Sequence, residues 1–251
     1  FYYMTHFMKS TRSGRPNRYF KYAISGGNIL SEELAQSFYQ LFGVQISNLY
    51  GCTEVGFISG NQIDSTGYKK YSVGKAHPSI EMRILDDNGV PLGVNMEGEL
   101  AIKADHIAPV YLENGERVHA LGEDGFFHTG DLAKIDENGV LYVLGRLKDI
   151  IISGGYNVNP HEVEEVIRFH PNVKECTILG VPDDVLGEIV VAVVVPYFTQ
   201  DDLKEQLQEL CRQKLAKYKQ PQRILVYANL PKTSIGKVKK PILLKEILAL
   251  K

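Results

Sequence analysis

The stretch GRLKDIIISGGYNVNPHEVE (residues 145–164) separates two parts of the sequence that differ in pattern. In the part before it, roughly residues 70–145, short apolar runs alternate with turns. Two of these turns, DDNGV (86–90) and DENGV (136–140), place Asn-Gly between apolar runs, which predicts β-hairpins. The sequence therefore predicts a β-rich region up to residue 145.

The part that follows this stretch alternates helices with strands. Asn159 can cap a helix that begins at Pro160, and Glu162 is placed to complete a capping box. Three apolar runs and one helical pattern predict the remaining elements: strands at 176–181, 189–195 and 222–227, and a helix at about 201–215. This alternation is typical of a small α+β domain.

The first part of the chain also contains a helix. SEELAQSFYQLFG (31–43) offers Ser31 as the N-cap and Gly43 as the last residue, with apolar side chains on one face at helical spacing. VQISNLYG (44–51) then predicts a strand that runs into a turn. We place the domain boundary at residues 145–149.

Composition and charge argue against several classes of protein. The formal net charge is −2, whereas a nucleic-acid-binding protein carries a basic footprint. Eleven Lys or Arg but a single acid lie between Arg212 and Lys251, so this segment either meets phosphates or forms a solvated face. The longest apolar run, IVVAVVV (189–195), is too short to span a bilayer, so we expect no transmembrane segment. Three scattered cysteines without CxxC spacing favour a reducing compartment, the cytoplasm.

Two stretches contain residue types that could bind a nucleotide. In NLYGCTEVG (48–56), Tyr50 could stack on a base, Thr53 could donate to a phosphate oxygen and Glu54 could hold Mg²⁺. A capped turn would explain the same residues. In FFHTGDL (126–132), Asp131 could accept both hydroxyls of a ribose, and an Asx-turn is the alternative.

Basic residues stand at two further candidate positions. Arg146 could form a salt bridge between domains or hold a nucleotide, and Lys148 lies beside it. In LPKTSIGKVKK (230–240), Lys237 follows a glycine in a polar turn. That turn is either a solvated one with basic side chains or a short loop that delivers a lysine to an anionic group.

Taken together, seven stretches resemble, in order, the adenylate-forming superfamily of acyl- and aryl-CoA synthetases, luciferases and peptide-synthetase adenylation domains. They are SGGNIL (25–30), NLYGCTE (48–54), GELAIK (98–103), FFHTGDL (126–132), GRLKDIIISGGYNVNP (145–160), KYKQP (217–221) and PKTSIGKV (231–238). The resemblance implies an α/β and α+β fold. Residues 1–147 would be the C-terminal part of the large domain, with sheet and helix over 1–75 and a small β-barrel-like subdomain over 76–147. Residues 148–251 would be the small, mobile C-terminal domain.

The resemblance also implies roles for individual residues. Tyr50 would lie against adenine and Asp131 would hold the ribose hydroxyls. The full nucleotide-binding set would be Gly27, Asn28, Tyr50, Gly51, Asp131 and Arg146. Lys148 would be the hinge about which the small domain rotates, and Gly155 and Tyr156 would line the tunnel for CoA.

The catalytic set implied by the resemblance is Lys237, Thr53 and Glu54. Thr53 and Glu54 would bind phosphate and Mg²⁺, and Lys237 would reach the carboxylate of the acid and the α-phosphate of ATP. An ammonium there would stabilise the negative charge that builds when a carboxylate attacks ATP.

The implied activity is that of an AMP-forming acid–CoA ligase, which activates a carboxylic acid with ATP and transfers it to CoA, as in fatty acid metabolism. GGYNVNPHEVE (154–164) resembles the acyl-CoA synthetase form and favours CoA as acceptor. Two alternatives stay open: an amino- or aryl-acid adenylation domain that loads a carrier protein, and a noncatalytic nucleotide-binding module.

The sequence departs from the family in ways that limit these expectations. The phosphate loop that precedes the YGCTE stretch in the family does not occur in this chain, and the chain begins with Phe1. We therefore expect the C-terminal half of a longer enzyme, inactive by itself, whose strands before residue 85 could associate with another copy as a homo-oligomer. Asn28 stands where many relatives have alanine, and 107–121 lacks the usual Gly-Tyr pair.

Overall fold

A computed structural model of the protein describes residues 21–27, 30–61, 69, 71–108, 110–113, 116–234 and 236–249. The chain divides into two compact units, Phe1–Leu144 and Gly145–Lys251. No helix in the described ranges is long and apolar enough to cross a membrane.

The described residues of the first unit form one helix and ten strands. They are α1 (Glu32–Phe42), β1 (Ala23–Ser25), β2 (Ile46–Cys52), β3 (Gly56–Gly60), β4 (Ser72–Ala76), β5 (Glu81–Leu85), β6 (Gly98–Lys103), β7 (Val110–Glu113), β8 (Glu116–His119), β9 (Phe127–Ile135) and β10 (Val140–Arg146), the last of which runs into the second unit. Eight strands form one sheet in the order β1-β2-β3-β4-β10-β9-β6-β5, and β7 pairs with β8. Because β1 is parallel to β2, the carboxyl ends of these two strands lie at the same edge of the sheet.

Local signals explain where the first unit's elements start and stop. The predicted caps of α1 are confirmed: Ser31 accepts a hydrogen bond from the Leu34 amide, and Gly43 is left-handed with φ 65°. The Asn-Gly turn at 136–139 joins neighbouring strands, as predicted. The one at 86–90 closes only an isolated bridge, and β5 instead pairs with β6.

The second unit combines a small sheet with helices and two 3-10 turns. Its elements are β11 (Ile151–Ser153), β12 (Tyr156–Val158), α2 (Pro160–Arg168), β13 (Val173–Asp183), β14 (Gly187–Pro196), α3 (Leu203–Lys214), β15 (Arg223–Val226), α4 (Lys240–Leu248) and the 3-10 turns Leu147–Asp149 and Lys217–Lys219. The sheet order is β12-β11-β14-β13, and β15 pairs with β14 in parallel.

The long apolar run of β14 is explained by helices on both faces of the sheet. Successive side chains of a strand point to opposite faces. Accordingly, Ala192 and Val194 pack in the cluster that contains residues of α2 and α3, whereas Val191 and Val193 pack with residues of α4. A strand that is buried on both faces needs apolar residues at every position, not at alternate ones.

Candidate functional site

The centre of the candidate site in the first unit is a contact between two predicted nucleotide-binding residues. The hydroxyl of Tyr50 on β2 donates a hydrogen bond to Oδ2 of Asp131 on β9. Asp131 is buried. Burial, together with the negative charge of Asp131, raises the pKa of Tyr50 above its usual value, so the phenol stays a donor at neutral pH.

The turn that carries Asp131 is held by groups from neighbouring residues. The Thr129 hydroxyl donates to the Leu100 carbonyl at 2.8 Å and accepts from the Asp131 amide at 3.1 Å. Gly130 has φ +68°, and its amide donates to Oε1 of Glu99 at 3.1 Å. These bonds fix the direction in which the Asp131 carboxylate leaves the strand.

His128 links this turn to two carboxylates. Its Nδ1 lies 3.0 Å from Oε2 of Glu99 and its Nε2 lies 3.3 Å from Oδ2 of Asp124. The hydrogen bond to Glu99, helped by both negative charges, raises the pKa of His128 above its usual value. The described residues contain no cluster of three or more His, Cys, Asp or Glu side chains that could hold a metal ion by themselves.

The turn after Tyr50 requires glycine. A Cβ on Gly51 would lie 2.1 Å from the carbonyl oxygen of Gly56, closer than real atoms approach. The pairing of β2 with β3 shifts register between Tyr50 and Gly51, and Gly56 has φ +78°. The glycines therefore allow a tight turn at the end of β2.

This turn presents two of the predicted catalytic side chains. Thr53 is exposed and Glu54 is half-buried, and the Glu54 carbonyl accepts from the Ala108 amide at 2.9 Å. Burial raises the pKa of the neighbouring Cys52 to about 11, so its thiol stays protonated. A hydroxyl and a carboxylate at an open turn are oxygen donors that suit phosphate and Mg²⁺.

Gly27 follows β1 at the edge of the sheet where β2 also ends. Ser25 of β1 lies opposite Asn48 of β2, and Gly27 has φ +82° with no atom within 4 Å of the position of a Cβ. Ligands of open α/β sheets bind outside the carboxyl ends of parallel strands, which is where Gly27 lies. The predicted Asn28 lies outside the described residues.

In the second unit, Lys237 lies in a turn that is closed by hydrogen bonds between Thr233 and Lys237, and its side chain is exposed to solvent. The Thr233 amide donates to the Lys237 carbonyl at 2.8 Å, and the Lys237 amide donates to the Thr233 hydroxyl at 3.1 Å. Gly236 is left-handed with φ +85°. The Lys237 side chain is exposed, and no described residue forms an ion pair with its ammonium.

Two predicted residues lie at the start of the second unit: Arg146, predicted to bind the nucleotide, and Lys148, the predicted hinge. Arg146 ends β10 and Lys148 lies in the 3-10 turn Leu147–Asp149, and both side chains are exposed. A Cβ on Gly145 would lie 3.1 Å from the ring of His161, so this position is tightly packed.

The predicted CoA residues form a hairpin turn. Gly154 and Gly155, between β11 and β12, have φ values of +57° and +84°, the pattern of a two-residue turn with two left-handed residues. The exposed ring of Tyr156 stacks on Tyr218 with centroids 4.6 Å apart. Lys219 lies 5.6 Å from the Tyr218 ring and bonds both carboxylate oxygens of Glu162 at 2.7 and 2.8 Å.

The structure thus brings together some predicted residues and adds others. Tyr50 and Asp131 are in contact, and Gly51, Thr53 and Glu54 follow on the same strand and its turn. The other predicted residues, Arg146, Lys148, Gly155, Tyr156 and Lys237, belong to the second unit. Sequence reasoning missed Glu99, Thr129 and Tyr218, although each lies in one of the quoted stretches.

Comparison with known proteins extends this picture. The family model of the AMP-binding enzyme matches residues 3–112, and that of the AMP-binding enzyme C-terminal domain matches residues 162–237. The mitochondrial acyl-coenzyme A synthetase ACSM3 of Mus musculus is 33% identical over 236 residues, covering 90% of this chain and 40% of that protein. The oxalate–CoA ligase of Arabidopsis thaliana is 35% identical over 211 residues, covering 83% and 41% respectively.

Solved structures match the fold over most of the chain. ATP-bound MatB from Rhodopseudomonas palustris superposes with a TM-score of 0.80 at 34% identity, covering 89% of this chain and 44% of that one. The o-succinylbenzoate CoA synthetase MenE from Bacillus subtilis, in complex with its acyl-adenylate intermediate, gives 0.84 at 29% identity, covering 96% and 49%. The chain spans about two fifths of the length of the curated relatives named above.

Proposed function

Because the chain belongs to the adenylate-forming superfamily that contains the acyl-CoA synthetases, we propose that the native protein is an AMP-forming acid–CoA ligase. It joins a carboxylic acid to ATP as an acyl-adenylate with release of pyrophosphate, and then transfers the acyl group to CoA with release of AMP. The observation that carries this proposal is the contact between Tyr50 and Asp131. It joins the two stretches in which the sequence predicts adenine and ribose binding.

The first unit supplies most of the nucleotide-binding groups in this proposal. Tyr50 presents its ring to adenine, and Asp131 accepts from the ribose hydroxyls. Gly27 and Gly51 let the backbone approach the nucleotide closely at the carboxyl ends of β1 and β2. Asn28 belongs to the same nucleotide-binding set, near the adenine, and Arg146 of the second unit assists at the ribose.

Thr53 and Glu54 hold the phosphates and Mg²⁺. Mg²⁺ is usually bound by one or two carboxylates together with substrate phosphates and water, and the half-buried Glu54 offers one such carboxylate beside an exposed hydroxyl. The residues therefore fit the ion, which when bound would offset the negative charge of the phosphates. Thr53 donates its hydroxyl to a phosphate oxygen.

Lys237 brings a positive charge to the reacting atoms in the first half-reaction, the formation of acyl-AMP. An oxygen of the acid attacks the α-phosphorus and the bond to pyrophosphate breaks, so negative charge builds between two anions. The ammonium of Lys237 is exposed, and hydrogen bonds between Thr233 and Lys237 hold the backbone of its loop, so it can stabilise that charge. Residues 148–251 then rotate about Lys148, which withdraws Lys237 and admits the thiol of CoA.

CoA binds along the second unit. Gly155 and Tyr156 line the pantetheine tunnel, and the basic residues that follow Arg212 contact its phosphates. The exposed stack of Tyr156 on Tyr218 supports a site for a ligand with an apolar part. We further place the enzyme in fatty acid metabolism and in the cytoplasm, the latter because all three cysteines are free thiols. Association of two copies stays a prediction.

The experiment begins with the intact mass of the polypeptide as its native source makes it, hereafter the native polypeptide. A mass near twice that of this chain is expected. The native polypeptide is then incubated with ATP, Mg²⁺ and a panel of carboxylic acids, with and without CoA. Pyrophosphate release that depends on the acid, and AMP release that depends on CoA, are expected.

Other results separate the alternatives. AMP release that needs a carrier protein and ignores CoA would favour the carrier-loading domain. Tight AMP binding with no pyrophosphate from any acid would replace the ligase with a noncatalytic nucleotide-binding module.

A further inference from the structure

The loop that carries Lys237 is tied to the predicted hinge by an ion pair. Lys240 follows Lys237 by three positions and is the first residue of α4. Its Nζ lies 3.3 Å from Oδ2 of Asp149, the last residue of the 3-10 turn Leu147–Asp149. The two side chains are only 28% (Asp149) and 27% (Lys240) exposed, so solvent screens this pair less than one on the open surface.

The position of Lys240 is unfavourable without such a partner. The N-terminus of a helix carries partial positive charge, and a lysine there is repelled. The first turn of α4 contains no acidic residue, and its N-cap makes no side-chain hydrogen bond. Lys237 and Lys239 add two more positive charges within three residues of Lys240. Asp149 therefore supplies the negative charge that the helix start does not have in its own sequence.

Lys240 also faces an acidic group on α2. Burial alone would raise the pKa of Glu164, but a hydrogen bond and charge from His161, then the charges of Arg168 and Lys240, lower it below its usual range. Glu164 is itself satisfied by the Ile178 amide at 3.1 Å and by the Thr177 hydroxyl at 3.3 Å. Asp149 is thus the carboxylate that bonds Lys240 directly.

The other side of the loop is held in the same way. Nζ of Lys232 lies 2.5 Å from Oε2 of Glu175 on β13. The Lys239 amide donates to the Pro231 carbonyl at 2.8 Å, and the backbones of Lys232 and Val238 form an isolated antiparallel β-bridge. These contacts fix the base of the loop on both sides, whereas the described tip residues Gly236 and Lys237 are exposed.

We infer that Asp149 is a positioning residue for adenylation, which acts through Lys240 to fix the place of Lys237 relative to the hinge. This inference rests on the proposed function. A charge that stabilises a transition state must be placed to within a fraction of an ångström, and a misplacement of about 1 Å can cost about 10²-fold in rate. Transfer of the acyl group to CoA does not use Lys237 in this proposal, so it should not depend on the ion pair.

The test compares the two half-reactions in the native polypeptide. Asp149→Asn keeps the size of the side chain and removes its charge. We expect it to lower kcat for acyl-AMP formation about 10- to 100-fold, with KM for ATP and acid within about 3-fold. Thioester formation from supplied acyl-AMP should change by less than about 3-fold. Equal loss in both half-reactions, or no loss in either, overturns the inference.

Two further variants separate positioning from a general loss of structure. Lys240→Arg keeps the ion pair, so its rate of acyl-AMP formation should stay within about 3-fold of wild type. The double variant Asp149→Lys with Lys240→Asp reverses the pair. Its kcat for acyl-AMP formation should be at least about 10-fold higher than that of Asp149→Lys alone, since an aspartate also suits the start of α4. Glu209→Gln, which breaks the exposed pair with Arg212 in the same unit, is the matched control and should leave both half-reactions unchanged.

A measurement without catalysis distinguishes failure of this inference from failure of the proposed function. Amide hydrogen exchange in residues 233–239 should be faster in Asp149→Asn than in wild type and unchanged in Glu209→Gln. If the wild type forms no acyl-AMP, the proposed function fails while exchange still tests the link to the loop. If the wild type is active and exchange in Asp149→Asn is unchanged, the inference alone fails.

Discussion

The hydroxyl of Tyr50 bonds the carboxylate of Asp131, although their strands are not neighbours in the sheet. Between β2 and β9 the order runs through β3, β4 and β10. In a flat sheet four strand spacings would separate them by about 19 Å, which a tyrosine cannot bridge. The sheet therefore curls, and the curl brings the predicted adenine residue to the predicted ribose residue.

Removing this hydroxyl should destabilise the first unit. In Tyr50→Phe the buried carboxylate of Asp131 loses a donor, and a hydrogen bond to a charged buried group contributes about 1.5–3 kcal/mol to the free energy of unfolding. Urea unfolding, with hydrogen exchange in β2 and β9 as the probe, measures the loss.

Tyr142→Phe is the matched control for that variant. Tyr142 also donates to a carboxylate, Oδ2 of Asp136 at 3.0 Å, but it is less buried, and Oδ1 of Asp136 accepts from the Asn138 and Val140 amides. We expect a loss of about 0.5–1.5 kcal/mol. A loss in Tyr50→Phe no larger than in this control would contradict the role of the Tyr50–Asp131 contact in holding the curled sheet.

Gly51→Ala should unfold the turn that carries Thr53 and Glu54. Its Cβ would lie 2.1 Å from a backbone oxygen, and backbone cannot move aside as a flexible side chain can. We expect a loss above about 3 kcal/mol in the free energy of unfolding, at the upper end for single substitutions. Gly93→Ala is the control, because its Cβ would meet only the Met96 sulfur at 3.8 Å, and it should change stability by less than about 0.5 kcal/mol. Similar losses of stability in the two variants would show that the turn accommodates a Cβ at Gly51, and would contradict the prediction.

The stability of the first unit should depend on pH through His128. Its pKa is raised in the folded state, chiefly by the hydrogen bond to Glu99. A raised pKa means that the stabilising contribution is fully present below the unfolded value of about 6.5 and is lost as pH rises through the folded value.

Hydrogen exchange of β6 and β9 between pH 5.5 and 8.5, corrected for the intrinsic rate, should therefore show protection that falls above pH 6.5. His128→Gln should remove this fall. His77→Gln should preserve it, because the exposed His77 bonds Ser79 and no described carboxylate. An unchanged fall in His128→Gln would assign the pH dependence to another group.

Local signals in the sequence predicted the elements, whereas contacts between distant residues could not be predicted. Ser31, Gly43 and Asn159 act on residues within four positions, so the ends of α1 and the start of α2 follow from the sequence. The partner of β5 does not, because the Asn-Gly turn at 86–90 is followed by an irregular segment before β6.

The candidate site shows the same limit. The motifs identified Tyr50, Asp131 and Lys237 by residue type and order, but nothing near Tyr50 indicates that its hydroxyl bonds a residue 81 positions later. Likewise, Asp149 and Lys240 are 91 positions apart, and each alone resembles an ordinary surface charge. Such pairs depend on how strands and helices pack, which one sequence does not specify.

Lys237→Ala in the native polypeptide should separate the two half-reactions. Loss of a preorganised charge at a developing anion lowers kcat by about 10²–10³-fold, so acyl-AMP formation should fall by that factor. Thioester formation from supplied acyl-AMP should change much less, because the second step does not place charge next to Lys237. Lys204→Ala is the matched control, since it removes another exposed lysine of the second unit, on α3, that has no role in the proposed chemistry, and both rates should stay within about 3-fold of wild type. An equal fall in both half-reactions for Lys237→Ala would mean that this lysine holds the loop or a shared ligand, and its role as the delivered cation would have to be given up.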